Sequence, residues 1–179
     1  MNPRTATSRL IDAVTQNIIR TDSVPRSPQT RRSIQSPQPS AFDFFFGTWQ
    51  VRHHRVQSRL TSCTDWDEFS GTCTVWPVLG GHGNIDDNLL QLPGQDYRAL
   101  TLRSYDPASD LWAIWWLDAR NPHQLDVPVE GRFADGTGTS FANAMLDDRP
   151  IVVRFSWLAT QILTPRWEQA FSPDGGTSL

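Results

Sequence analysis

Two histidines stand side by side at His53 and His54, flanked by Arg52 and Arg55. On an extended strand neighbouring side chains leave opposite faces, so these two imidazoles cannot share one metal ion. The same alternation groups His53 and Arg55 with Trp49 and Val51, and if Trp49 faces inward they do too. Such a pair can hold the carboxylate or phosphate head of a ligand; it also suits a polar strand end wetted by solvent. A second group is Trp115, Asp118, Arg120, His123 and Asp126, which sets an acid, a base and a cation beside a Trp-rich segment. A His with an Asp partner can serve as a general base near neutral pH. The two Asp equally suit loop hydrogen bonds, with Arg120 paired to Asp118. A third group is His82 in the run Gly80-Gly81-His82-Gly83, followed at alternate positions by Asn84, Asp86 and Asn88. Three polar residues on one strand face suit a polar pocket or a solvent face. The glycines read as turn formers rather than a phosphate cradle, because no helix follows them.

Metal and covalent chemistry find little support. Cys63, Cys73, His82 and His123 lack the spacing of zinc ligands, so no metal and no cofactor is expected. There is no Gly-x-Ser-x-Gly elbow and neither Cys has an evident His partner, so no catalytic residue is assigned. The first residues lack the apolar stretch of a secretory leader, which favours a cytoplasmic protein with both thiols reduced.

The elements that must position these groups are strands. From Phe42 onward the polar–apolar pattern repeats every second residue, and strands are expected over 44–56, 66–78, 84–92, 97–105, 111–118, 127–133, 139–146, 151–159 and 166–172. Turn chemistry separates them: the Gly80–Gly83 run, Pro93-Gly94, Asp106-Pro107, Asn121-Pro122, Asp135-Gly136, Asp147-Asp148 and Thr164-Pro165. Nine short strands with almost no helix make an antiparallel up-and-down meander, best stabilised by curling into a barrel; a two-sheet sandwich is the rival.

Residues 1–40 are a separate extension. Residues 8–19 place Leu10, Ile11, Val14, Ile18 and Ile19 loosely on one side of a short amphipathic helix. Residues 23–40 are rich in Pro, Ser, Gln and Arg, and cannot bury enough surface to offset their ordering entropy, so disorder is expected there. The extension carries six Arg and two Asp, net +4, against −3 for the whole chain, so the folded part is acidic at −7. All 16 basic residues are Arg, a bias that fits a GC-rich genome; scattered over an acidic domain, they do not form a nucleic-acid surface. No run of 18 apolar residues exists to form a membrane helix. Eight Trp against two Tyr is the excess that fits a barrel interior, where indole rings bring large buried area.

The segment Phe42-Asp43-Phe44-Phe45-Phe46-Gly47-Thr48-Trp49 resembles the opening strand of a bacterial, lipocalin-like family known as domain of unknown function 1579. The similarity continues through Trp115-Trp116-Leu117-Asp118 and Gly131-Arg132-Phe133. It ends in Arg166-Trp167-Glu168-Gln169-Ala170-Phe171-Ser172-Pro173-Asp174-Gly175-Gly176, and so spans 42–179. The resemblance implies a lipocalin-like barrel in which Trp49 plugs the closed end and packs against an Arg of the last strand. It also implies that Ser172-Pro173-Asp174-Gly175-Gly176 is a structural hairpin turn leading into one more strand. Here the chain stops at Ser178-Leu179, which predicts a truncated barrel: Trp49 without its Arg partner, and open edges on the first and last strands. A fragment or frameshifted product is the implied origin, and homo-oligomers through the open edges the implied consequence. Haem-binding barrels of nitrobindin type resemble this fold but use a His on a late strand, and none follows His123.

The sequence thus points to an all-β, incompletely closed lipocalin-like barrel over 42–179, holding a small aromatic or amphipathic molecule. Trp49, Trp115 and Trp157 are the expected apolar wall, with His53, Arg55, Asp118, Arg120, His123 and Arg154 as polar groups. A small hydrolase or isomerase using His53 or His123 is the alternative, and an interaction module using residues 1–40 as its arm is a third.

Overall fold

In the computed structural model the described residues are 12–20, 38–158, 160 and 163–179, with strand Asp12–Arg20 described by its backbone. The strands are β1 (Asp12–Arg20), β2 (Gly47–Val56), β3 (Trp66–Val78), β4 (Gly83–Leu92) and β5 (Gln95–Asp106). They continue with β6 (Leu111–Asp118), β7 (Val129–Ala134), β8 (Thr137–Leu146), β9 (Arg149–Leu158) and β10 (Arg166–Ser172). The nine from β2 to β10 reproduce the expected meander, each pairing antiparallel with the next. By themselves they curl into an incompletely closed barrel, because no ladder joins β2 directly to β10.

β1 lies in that gap. It pairs antiparallel with β10, Asp12 opposite Phe171 and Asn17 opposite Arg166, and antiparallel with β2, Val14 opposite Arg55 and Arg20 opposite Trp49. The helix expected over 8–19 is therefore corrected over its described part; positions 8–11 lie outside the described residues. The physical reason is that Val14, Thr15, Ile18 and Ile19 are β-branched, weak helix formers and good strand formers. Two unpaired sheet edges supply the backbone partners that a solvent-exposed helix would have to find within itself. The strand expected after Gly176 is thus matched by one from the other end of the chain, and the edges expected to be open are occupied. The expected disordered stretch, 23–40, lies outside the described residues up to position 37.

One end of the barrel is closed by aromatic side chains. After a short 3-10 turn at Asp43–Phe45, the chain enters β2 at Gly47, whose φ of 115° only a residue without Cβ adopts easily. Phe42 and Phe45 are buried there, and the Phe42 ring meets Trp112, Phe133 and Trp157 edge-on at 4.8–5.6 Å. Trp49 is buried beneath the turn and its indole N–H donates to the Phe45 carbonyl at 2.7 Å. Gly131 allows β7 and β8 to approach, since a Cβ there would collide with the Thr139 carbonyl. The turn after β10 holds as a structural turn: Asp174 accepts the Ser178 N–H at 3.0 Å, and Gly175 and Gly176 have φ of 71° and 94°. Cys63 and Cys73 are both free thiols; burial pushes the Cys73 thiol up, keeping it protonated and unreactive. No helix among the described residues is long and apolar enough to cross a membrane.

Candidate binding site

Strand alternation turns one side chain in two toward the barrel axis, and at the end opposite the aromatic plug these enclose a cavity of about 360 Å³. β2 brings His53 and Arg55; β3 brings Phe69; β4 brings Asp86, Asn88 and Leu90; β5 brings Tyr97, Thr101 and Arg103. Ile114, Trp116 and Asp118 come from β6, Phe155 and Trp157 from β9, Trp167 and Gln169 from β10. The loops 57–65 and 119–128 frame the mouth with Arg59, Arg120, Asn121, Gln124 and Asp126. The second loop is held where β7 falls short of β6. β7 pairs only with Trp112, Ala113 and Ile114, and the loop returns to β6 through a bridge at Leu117 and Leu125 and through the Asp126 N–H on the Trp116 carbonyl.

The floor holds a buried charged network. Hairpin register places Asn84 opposite Arg103 and Asp86 opposite Thr101. One terminal nitrogen of Arg103 forms an ion pair with Asp86 at 2.7 Å and donates to Asn84 Oδ1 at 2.9 Å; the Asp86 carboxylate accepts the Thr101 backbone N–H at 2.9 Å and the Asn88 amide. The guanidinium is sandwiched among Phe42, Phe45 and Trp157, 5.2–5.5 Å from each ring centre. Two donors of this floor, Arg103 Nε and Trp157 Nε1, are buried without an acceptor among the described residues. A buried N–H left that way costs roughly 1–3 kcal/mol.

Higher up, His53 stacks on Phe69, rings 4.6 Å apart and 8° from parallel. Burial, and secondarily the Arg55 charge, lower its pKa to about 4, so at neutral pH it is an uncharged imidazole. Gly71 makes room for it, since a Cβ there would press on the imidazole Nε2. His54 leaves on the other face, against Trp66 at 4.4 Å, as strand alternation requires. At the mouth Arg120 lies 3.7 Å over the Tyr97 ring and pairs with Asp118 at 2.6 Å; that hydrogen bond lowers the Asp118 pKa. Asp126 shifts the other way, raised by burial and then by Asp118. Arg55 has no carboxylate partner among the described residues.

The structure brings five of the sequence-derived residues together at the cavity: His53, Arg55, Asp118, Arg120 and Trp157. Four stand elsewhere. Trp49 belongs to the plug, and His123 is exposed in the 119–128 loop. Trp115 and Arg154 do not line the cavity: they alternate with Ile114 and Trp116, and with Phe155 and Trp157, which do. His82 is exposed beside its 3-10 turn, whereas Asp86 and Asn88, read as suiting a pocket or a solvent face, belong to the pocket. Arg103, Tyr97, Trp116 and Arg59 were not singled out from sequence. For Arg103 a signal existed: the turn Pro93-Gly94 sets the hairpin register that puts it opposite Asn84 and beside Asp86. Among the described residues no three His, Cys, Asp or Glu converge as a metal-holding group. Comparison of the chain with protein-family models and with curated proteins finds no match.

Proposed function

We propose that this protein is a cytoplasmic, lipocalin-like binding module for a small aromatic or amphipathic molecule with an acidic head, related to the domain of unknown function 1579 family. The reading rests on one observation: a cavity of about 360 Å³ lined by both aromatic and polar side chains, whose mouth presents Arg55 without a carboxylate partner among the described residues. That volume lies at the lower end of the range for small-molecule pockets, and the lining carries more polar groups than is usual for them. Phe69, Trp116, Phe155 and Trp167 suit the flat body of the ligand, and Arg55 and the neutral His53 suit its head.

The test is a diverse library of aromatic and amphipathic acids, read by intrinsic Trp fluorescence and melting temperature. A true ligand at about a hundred times its Kd adds about 2.7 kcal/mol of stability. For a domain of this size the melting temperature then rises on the order of 5–10 °C. Arg55→Gln is expected to weaken the acids roughly tenfold in calorimetry while leaving the melting temperature of the free protein within a few degrees. A library that moves neither fluorescence nor melting temperature removes the reading. His53, with a pKa of about 4, carries no proton to give at pH 7 and is a weak base there, and His123 does not line the cavity, so neither histidine favours the enzymatic alternative.

A further inference from the structure

Two charged side chains of opposite sign at the cavity mouth have no counter-charge beside them. Arg55, near the end of β2, has no carboxylate partner among the described residues, and its guanidinium carbon lies 5.7 Å from the Phe69 ring centre. Asp126, in the 119–128 loop, is exposed and lines the cavity. Its carboxylate makes no ion pair or hydrogen bond among the described residues. The other charges of the mouth are differently placed. Arg120 grips Asp118 through both carboxylate oxygens, at 3.0 and 2.6 Å, and Arg59 stands over the Phe171 ring at 4.9 Å.

The loop fixes where Asp126 stands. Its backbone N–H donates to the Trp116 carbonyl at 3.0 Å and Leu125 bridges to Leu117, so the residue is pinned to the rim of β6 beside a cavity-lining indole. Partial burial against that rim, and then the Asp118 charge, raise the Asp126 pKa, and no neighbouring cation opposes the rise. β2 and β6 are separated by three strands one way round the barrel and by five the other way. The cation and the anion therefore stand across the mouth from each other and do not neutralise each other.

The charge of the ligand head follows from that arrangement. An acid alone satisfies Arg55 but adds an anion to a mouth that already holds Asp118 and Asp126. An amine alone satisfies Asp126 and adds a cation to the side of Arg55. A molecule carrying both groups meets each charge with its opposite. The face of the Trp116 ring beside Asp126 also favours an ammonium group.

We propose that the mouth is a zwitterion site, in which Arg55 takes the carboxylate and Asp126 the ammonium of an aromatic amino acid whose ring enters the cavity. This rests on the binding reading above and adds a basic group to the acid head.

Two pairs of probes, differing in how far apart the two groups stand, test it with the full chain at pH 7. They are 3-(2-naphthyl)alanine against 3-(2-naphthyl)propionate, and 4-amino-3-(2-naphthyl)butanoate against 3-(2-naphthyl)butanoate. Calorimetry is expected to give at least one amino acid about fivefold tighter binding than its amine-free parent. Asp126→Asn, at an exposed position, should bring that ratio to about one. In ¹³C-labelled wild-type protein the Asp126 carboxyl resonance, assigned by its loss in the variant, should titrate at lower pH with the tighter amino acid bound, because an ammonium group favours the carboxylate. The parent acid should leave that midpoint in place or raise it. Amino acids that bind no tighter than their parents, an advantage that survives Asp126→Asn, or an Asp126 midpoint that does not fall overturns the zwitterion site. If the parents or some library acid still bind in that case, the binding reading stands. If no acid of any set binds, both fall.

Discussion

Arg103 and Asp86 form a buried charge pair in the cavity floor, and such a pair is held there more by what its loss would expose than by its own net attraction. Arg103→Met leaves the buried Asp86 carboxylate without its cation, held only by the Thr101 N–H and the Asn88 amide, and is expected to cost about 3–5 kcal/mol. Asp86→Asn keeps an acceptor for the Thr101 N–H but leaves the guanidinium uncompensated, and should be destabilising too. The double variant removes both charges, so its cost should fall short of the sum of the singles by on the order of 2 kcal/mol. Urea unfolding of the four proteins measures this; strict additivity would show that the two groups do not depend on each other. The residue scale is also where sequence reading succeeded and failed by the same rule. Strand alternation correctly grouped Trp49, Val51 and His53 on one buried face. Applied with equal rigour to β6 it would have separated Trp115 from Asp118, which differ by an odd number of positions, and chosen Trp116. Arg103 was passed over because a lone Arg on an apolar strand reads as surface until its cross-strand partners are known.

At the scale of elements, turn chemistry made the nine strands of the meander legible, since Pro, Gly, Asn and Asp punctuate nearly every junction. β1 was not legible, because Ile18 and Ile19 are adjacent, break a strict period of two and equally suit one side of a helix turn. Only the vacant ladder positions on β2 and β10, a property of the assembled sheet, decide between the two. A consequence follows for the chain without β1. Deleting residues 1–20 bares the inward-pairing backbone of β2 and β10, and bare edges recruit other edges. The truncated protein should melt at least 5 °C lower, on the order of 1–2 kcal/mol or more for a chain of this size, and sediment as dimers or larger species. A peptide of the sequence Asp12–Arg20 added in trans should restore the slower-sedimenting form. A truncated protein that remains monomeric with an unchanged melting temperature would show that β1 contributes nothing to closure.

For the whole molecule, the cavity imposes a cost that appears as pH dependence. A barrel that keeps its lumen partly polar must bury groups that the unfolded chain would leave in water, and His53 is the clearest of them at 3 % exposure. The pattern of Asn84, Asp86 and Asn88 left a polar pocket and a solvent face equally open. The depth of His53 could not be anticipated either, because it depends on Phe69 stacking over it and on Gly71 making room. In the unfolded chain an imidazole titrates near 6.5, and in the fold the pKa is about 4. Between those two values the unfolded state binds the proton that the folded state refuses, so acidification favours unfolding. The contribution is fully present above about pH 6.5, is lost progressively as the pH falls toward 4, and changes no further below that. Its size is on the order of 3 kcal/mol. His53→Gln, similar in length but without a titrating group, should flatten that part of the profile. Denaturant midpoints measured at half-unit steps from pH 7 to pH 4 on both proteins isolate the effect, because every other titrating group is common to the two. A wild-type profile that parallels the variant across this window would mean that His53 is solvated enough to ionise in place, and that the lumen is wetter than its aromatic walls imply.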